Sequence, residues 1–98
     1  MILEVAILNV IPEKTGEFEA SFEIAVEIIS SIKGFGGVQL QHCLEVPNRY
    51  ILLVKWEKLE DHTIGFRQSA DYLHWKKLLH HFYDPFPVVE HYSMKVEK

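Results

Sequence analysis

The run Ile2-Leu3-Glu4-Val5-Ala6-Ile7-Leu8-Asn9-Val10-Ile11 decides the fold. Its density of Ile, Val and Leu reads as a β-strand. Both alternating faces are apolar: Ile2, Ala6, Leu8 and Val10 on one, Leu3, Val5, Ile7 and Ile11 on the other. A strand apolar on both faces needs a covering layer on each. Asn9 is the polar exception.

The next segment supplies one layer. Pro12 suits a first helical turn. Phe18, Phe22, Ala25, Ile29 and Ile32 then recur at spacings of four and three, which predicts a helix with those residues inward. Glu17, Glu19, Glu23 and Glu27 lie mostly off that stripe and read as a solvated face. Gly34 ends the helix, and Gly36-Gly37 loosen the approach to the next strand. Residues 38–44 alternate with period two and form the second strand. Residues 46–49 turn, and residues 50–57 form a third strand, the hairpin partner of the second.

Leu59 to His62 opens a short helical turn, with Glu60 and Asp61 at its positive end and His62 solvated. Ser69 caps a helix over 70–81. Its apolar side holds Tyr72, Trp75, Leu78, Leu79 and Phe82, while Leu73, Lys77 and His80 share another face. Asp84-Pro85-Phe86-Pro87 ends it, and residues 88–94 form the fourth strand. The order β-α-β-β-α-β predicts an α+β chain of ferredoxin-like type, one domain over 1–98. Its antiparallel four-stranded sheet carries two helices on one face. Two helices cannot cover both faces, so a second copy is expected on the other, sheet to sheet.

A net charge of −4 and the lack of a basic cluster exclude a broad nucleic-acid surface. Glu4, Asn9 and Pro12 interrupt the apolar start, so neither a signal peptide nor a membrane span is read there, and a cytoplasmic location is expected. Cys43 is the only cysteine and reads as a buried strand residue; it excludes an internal disulfide and a multi-thiolate zinc site. His80 and His81 are adjacent and point to different helix faces, and His74 lies two turns from His81. No metal site is expected.

The stretch 66–92, FRQSADYLHWKKLLHHFYDPFPVVEHY, mixes large rings with titratable groups, as pocket walls do. Together with Gly34-Phe35-Gly36-Gly37-Val38-Gln39-Leu40 and Val54-Lys55-Trp56-Glu57, the residues Phe66-Arg67-Gln68-Ser69, Tyr72, Trp75 and the run from Leu78 to Tyr92 carry a resemblance over essentially the whole chain. The sequence resembles the antibiotic biosynthesis monooxygenase family of dimeric α+β barrel proteins. That resemblance implies a homodimer, a small aromatic ligand, and cofactor-independent oxidation of a quinol-type molecule, with no flavin or metal. A non-catalytic binding dimer of the same fold is the alternative.

Haem binding or degradation is a further, disfavoured alternative. The haem-degrading branch uses an Asn on the first strand, a Trp opening the second helical region and a His on the second helix. Asn9 matches the first. Gly65 or Phe66 stands at the second, and Trp75 or Lys76 at the third, with His74 one place off. Many members also carry a His beyond the Trp-Glu pair. Gly65 or Phe66 stands there, and His62 comes earlier.

A cofactor-free oxygenase needs an apolar chamber, a proton acceptor, and a donor for the developing anion. Trp56, Phe66, Tyr72, Trp75 and Phe86 are the expected walls. Asn9 would orient a substrate oxygen, and Arg67 would hold an enolate or superoxide. His80 or His81 would be the base, although a helix C-terminus favours their charged form. His91 is expected toward the dimer seam.

Overall fold

The computed structural model describes residues 1–98. β1 (Ile2–Asn9) leads through a 3₁₀ turn at Pro12–Lys14 into α1 (Thr15–Ile29). β2 (Phe35–His42) and β3 (Arg49–Trp56) follow as a hairpin. A π-helical segment at Asp61–Phe66 precedes α2 (Ala70–Leu79), which tightens into a 3₁₀ turn at His80–Phe82. β4 (Val89–Ser93) closes the sheet. All pairings are antiparallel, in the spatial order β2-β3-β1-β4. This is the ferredoxin-like α+β arrangement expected from the order of elements.

Three local features depart from expectation. β2 begins at Phe35 and not at Val38, because Phe35 pairs with Trp56 and Gly37 with Lys55, which leaves Gly36 as a bulge. A Cβ on Gly36 would lie 2.3 Å from Met1 Cε and 3.2 Å from the Lys55 carbonyl, and Gly37 has φ +147°, so both positions suit glycine. Period-two reading recovers only the part of the strand beyond such a bulge. The helical turn after β3 is longer than expected and wound as a π-helix, which points both His62 and Phe66 inward. Cys43 sits just past β2, half-buried, where its Sγ accepts the Val46 N–H at 3.4 Å. It is a turn residue, not a strand residue.

Fifteen buried apolar residues fill the space between the sheet and the two helices. α1 contributes the expected stripe of Phe18, Phe22, Ala25 and Ile29. Ile32 lies beyond the end of the helix and packs against the core only partly buried. Ala6, Leu8 and Val10 supply the inward register of the first strand, and Tyr50, Leu52, Val54 and Trp56 that of β3. Burying each large side chain contributes about 1.5–3 kcal/mol. Phe18 is central: its ring lies 5.0 Å from Tyr50, 5.7 Å from Phe82 and 5.9 Å from both Phe22 and Tyr83. Such tilted aromatic pairs add to burial alone.

The other sheet face is bare. Leu3, Val5 and Ile7 lie opposite Lys55, Leu53 and Ile51, and Ile7 is 44% exposed. Polar side chains rim this face and bond to one another. Gln41 donates to Gln39 at 3.0 Å, Arg49 to Asn9 at 3.2 Å, and Tyr92 to Glu90 at 2.9 Å. No helix is long and apolar enough to cross a membrane.

Candidate functional site

Ser69 sets the position of α2. Its Oγ accepts the Tyr72 backbone N–H at 3.2 Å and donates to the Phe66 carbonyl at 2.6 Å. This N-cap fixes where Tyr72 enters and where His80 leaves the helix. Beyond His80 the chain is pinned back to the first strand. Ile11 N–H donates to the Phe82 carbonyl at 2.9 Å, and Asp84 N–H to the Asn9 carbonyl at 2.8 Å. Tyr83 forms an isolated bridge with Val10.

Those restraints leave a cleft of about 410 Å³ on the helix side of the sheet. That volume suits a small molecule. Ala6, Leu8, Leu52 and Val89 make its apolar floor; Tyr72, His80, Tyr83 and Phe86 wall it with rings, and Arg67 stands at its side. The His80 ring meets Phe86 edge-on at 5.0 Å and Tyr72 edge-on at 6.0 Å. A larger hollow of about 620 Å³ opens on the outer face between Met1, Leu3, Lys55 and residues 92–97. It gathers chain-end side chains and no imidazole or guanidinium, so the smaller cleft is the better candidate for chemistry.

Burial, and then the charge of Lys76, hold His80 below the usual imidazole range. At this helix end burial and Lys76 thus oppose the charged form that the dipole favours. A neutral ring with a free lone pair is a proton acceptor. Tyr83 is pushed above the ordinary phenol range by burial, with the nearby Glu4 and Tyr72 adding to it. Its hydroxyl stays a donor at neutral pH. Arg67 makes no ion pair, since the salt bridges present are Lys14–Glu17 and His62–Glu4.

Behind the cleft lies a buried polar group. Glu4 is 5% exposed and His62 3% exposed. Trp56 Nε1–H donates to Glu4 Oε1 at 2.9 Å, and His62 Nε2 lies 3.4 Å from the same oxygen. His62 Nδ1 is 2.7 Å from His91 Nε2. The His62 ring stacks on Trp56 at 5.4 Å with 14° between planes. Burial, then the charges of Arg67 and His91, push His62 down to about 3, so it is a neutral hydrogen-bonding ring and not an imidazolium. Burial raises Glu4 above the usual carboxylate range, against the Trp56 bond and Arg67.

The expected site residues therefore divide. Arg67, Tyr72, His80 and Phe86 converge on the cleft. Trp56, Phe66 and Trp75, expected as walls, are core residues 0%, 1% and 5% exposed, packed ring to ring beneath it. Asn9 projects onto the outer face, where its Oδ1 accepts from Arg49. With it the match to the haem-degrading branch points away from the cleft. His81 is exposed beside Phe82, outside the cleft. His62 is buried, not solvated, because the π-turn rotates it inward. His91 sits opposite Glu4 in register and turns to the helix side, not to the outer face. Tyr83 and Glu4 were not expected at the site. Glu4 carried a legible signal: an acid in the inward register of Ile2, Ala6 and Leu8.

No group of three or more His, Cys, Asp or Glu side chains is arranged to hold a metal ion.

Comparison with known proteins gives one answer. The model of the antibiotic biosynthesis monooxygenase family matches residues 1–78. The uncharacterized protein YczJ of Bacillus subtilis is 50% identical over 93 residues, covering 95% of this chain and 98% of its own. A solved structure from Bordetella bronchiseptica, provisionally named an antibiotic biosynthesis monooxygenase, is 36% identical with a TM-score of 0.92, over 97% of each chain. SnoaB of Streptomyces nogalater, a cofactor-independent oxygenase, shares the fold with a TM-score of 0.72 at 17% identity, over 99% of this chain and 93% of its own. By the span of the family match and the identity to its relatives, this chain belongs to the antibiotic biosynthesis monooxygenase family.

Proposed function

We propose that this protein is an oxygenase of a small phenol- or quinol-type aromatic, bound in the cleft beside α2, and that it works as a homodimer joined through the bare sheet faces. One observation carries the catalytic reading: a neutral imidazole, His80, and an unpaired guanidinium, Arg67, line the same ring-walled cleft. The likeness in fold to SnoaB, a cofactor-independent oxygenase, supports the same class of chemistry.

The phenol proton passes to the lone pair of His80, and the phenolate forms beside Arg67. Tyr83 O–H donates to the substrate oxygen. An electron-rich phenolate gives one electron to O2; the resulting superoxide and phenoxyl-type radical combine at the activated ring carbon. The peroxide anion takes the proton back from His80, and the hydroperoxide then loses water. For an activated methylene the balance is CH2 plus O2 giving C=O plus H2O, so the substrate itself is the reductant. Rings and aliphatic floor keep water from the radical pair.

The test is O2 uptake by the purified protein across a panel of phenols, quinols and anthrone-type methylenes. Uptake of one O2 per carbonyl formed is expected. His80→Gln lowers kcat by about 10²–10⁴-fold if that ring is the general base. The acid limb of the kcat/KM profile falls below pH 6.5, the ordinary imidazole value, because His80 is held low. Thermal stabilisation by the same compounds without O2 uptake would identify a binding protein instead and overturn the oxygenase reading.

The dimer is argued from Leu3, Val5, Ile7, Ile51 and Leu53, a contiguous apolar centre that neither helix covers. Exposed apolar patches of this kind mark interaction surfaces.

A further inference from the structure

Glu4, His62 and His91 come from β1, the π-helical segment and β4, yet they meet in a row. Glu4 Oε1 lies 3.4 Å from His62 Nε2, and His62 Nδ1 lies 2.7 Å from His91 Nε2. The central imidazole faces each neighbour with a different nitrogen: Nδ1 is at hydrogen-bond distance from His91, and Nε2 stands a few tenths of an ångström beyond it from Glu4. Its inner end is buried and its outer ring, His91, is only half-buried. Burying a carboxyl and a ring pair is costly unless each is hydrogen-bonded.

We propose that this row is a proton relay through which buried Glu4 exchanges a proton with solvent at His91, without the core opening. A neutral imidazole has one N–H and one lone pair, so the row has two self-consistent settings. In the first, Glu4 is ionised and accepts from His62 Nε2–H, while His62 Nδ1 accepts from His91 Nε2–H. A proton arriving at His91 Nδ1 makes that ring an imidazolium. Its Nε2 proton passes to His62 Nδ1, and the His62 Nε2 proton passes to Glu4. The second setting is a neutral carboxylic acid with both rings neutral and protonated on Nδ1. One proton enters, one is stored, and neither ring keeps a charge. Burial raises Glu4 and lowers both rings, so it works toward a proton held on the carboxyl.

The charged group that bears on all three members is Arg67, which also lines the cleft; Tyr83 bears on Glu4. Lys55, Glu90 and Tyr92, next to the row in the sheet, alternate onto the outer face. An anion in the cleft would therefore repel an ionised Glu4 across a poorly screened distance. The relay can deliver the compensating proton. That use rests on the phenol chemistry proposed above; the relay does not.

The test is ¹⁵N NMR of the histidine rings of the unliganded protein from about pH 4 to about pH 9, the range that brackets imidazole titration. His62 should stay neutral while its proton moves from Nε2 to Nδ1 on acidification, and His91 should change in the same transition. Glu4→Gln keeps an oxygen facing both Trp56 and His62 Nε2 but cannot take the proton, so His62 should be fixed in the Nε2–H form at every pH. A His62 tautomer that never changes in the unsubstituted protein, or a change that survives in Glu4→Gln, overturns the relay. His91→Ala, at the surface end, should turn the His62 transition from fast to slow exchange; unchanged exchange also overturns it. A protein that takes up no O2 would lose the cleft chemistry and leave these outcomes standing.

Discussion

His62→Gln should flatten the acid side of the stability profile. In the folded chain burial holds the His62 ring at about 3, against an ordinary 6.5 when unfolded. Below the higher value the unfolded chain binds a proton that the folded chain refuses. Stability is therefore lost as pH falls from 6.5 toward 3. At about pH 5 the two protonation equilibria differ by roughly 1.5 pH units of binding, worth about 1–2 kcal/mol after allowance for partial solvent screening. For a chain of this length that is about 4–16 °C in Tm. Glu4 acts in the opposite sense: its raised folded value means that the folded chain holds the extra proton, so its contribution grows as pH falls. Glu4 remains in the variant and runs the other way in both proteins, so the sign of the difference between them reports the loss of the His62 ring. The assay is thermal or urea unfolding at about pH 8 and about pH 5. The unsubstituted protein should lose more stability between them, by about 1–2 kcal/mol. Parallel losses in both proteins would refute the claim that a neutral imidazole is locked in the interior.

Other consequences are testable by simpler means. Leu53→Lys places a charge at the centre of the bare sheet face; light scattering should give a dimer mass for the parent and a monomer mass for the variant, with unchanged circular dichroism. Phe18→Ala removes a ring with no exposed surface that packs on four others, and should cost about 3–5 kcal/mol in urea unfolding. Ser69→Ala removes the cap that accepts from Tyr72, and should cost about 1 kcal/mol by the same measurement.

The backbone was more legible than the site. Alternation and helical spacing located every main element, because each buries one face against a single core and that requirement writes itself into the pattern. What escaped were places where local geometry departs from regular repeat: the bulge at Gly36 that begins β2 early, and the π-turn that carries His62 inward. The site was half legible. Arg67, Tyr72, His80 and Phe86 lie within one aromatic stretch and do share a cleft. Trp56, Phe66 and Trp75 are rings of the same chemical type, yet they fill the core, since composition does not say which side of a packed layer a ring takes. Glu4 and His62 meet across 58 positions of sequence, and no spacing rule connects them.

The rim of the bare sheet face has its own implication. Gln39 with Gln41, Asn9 with Arg49, and Glu90 with Tyr92 are already matched within one subunit. Arg49 Nη and Gln39 Nε2 have no such bond, so a second copy laid on the aliphatic centre, as proposed, would have to meet them with acceptors of its own or leave them to water. Pairing through this face would then be selective at its edge as well as in the shape of its middle.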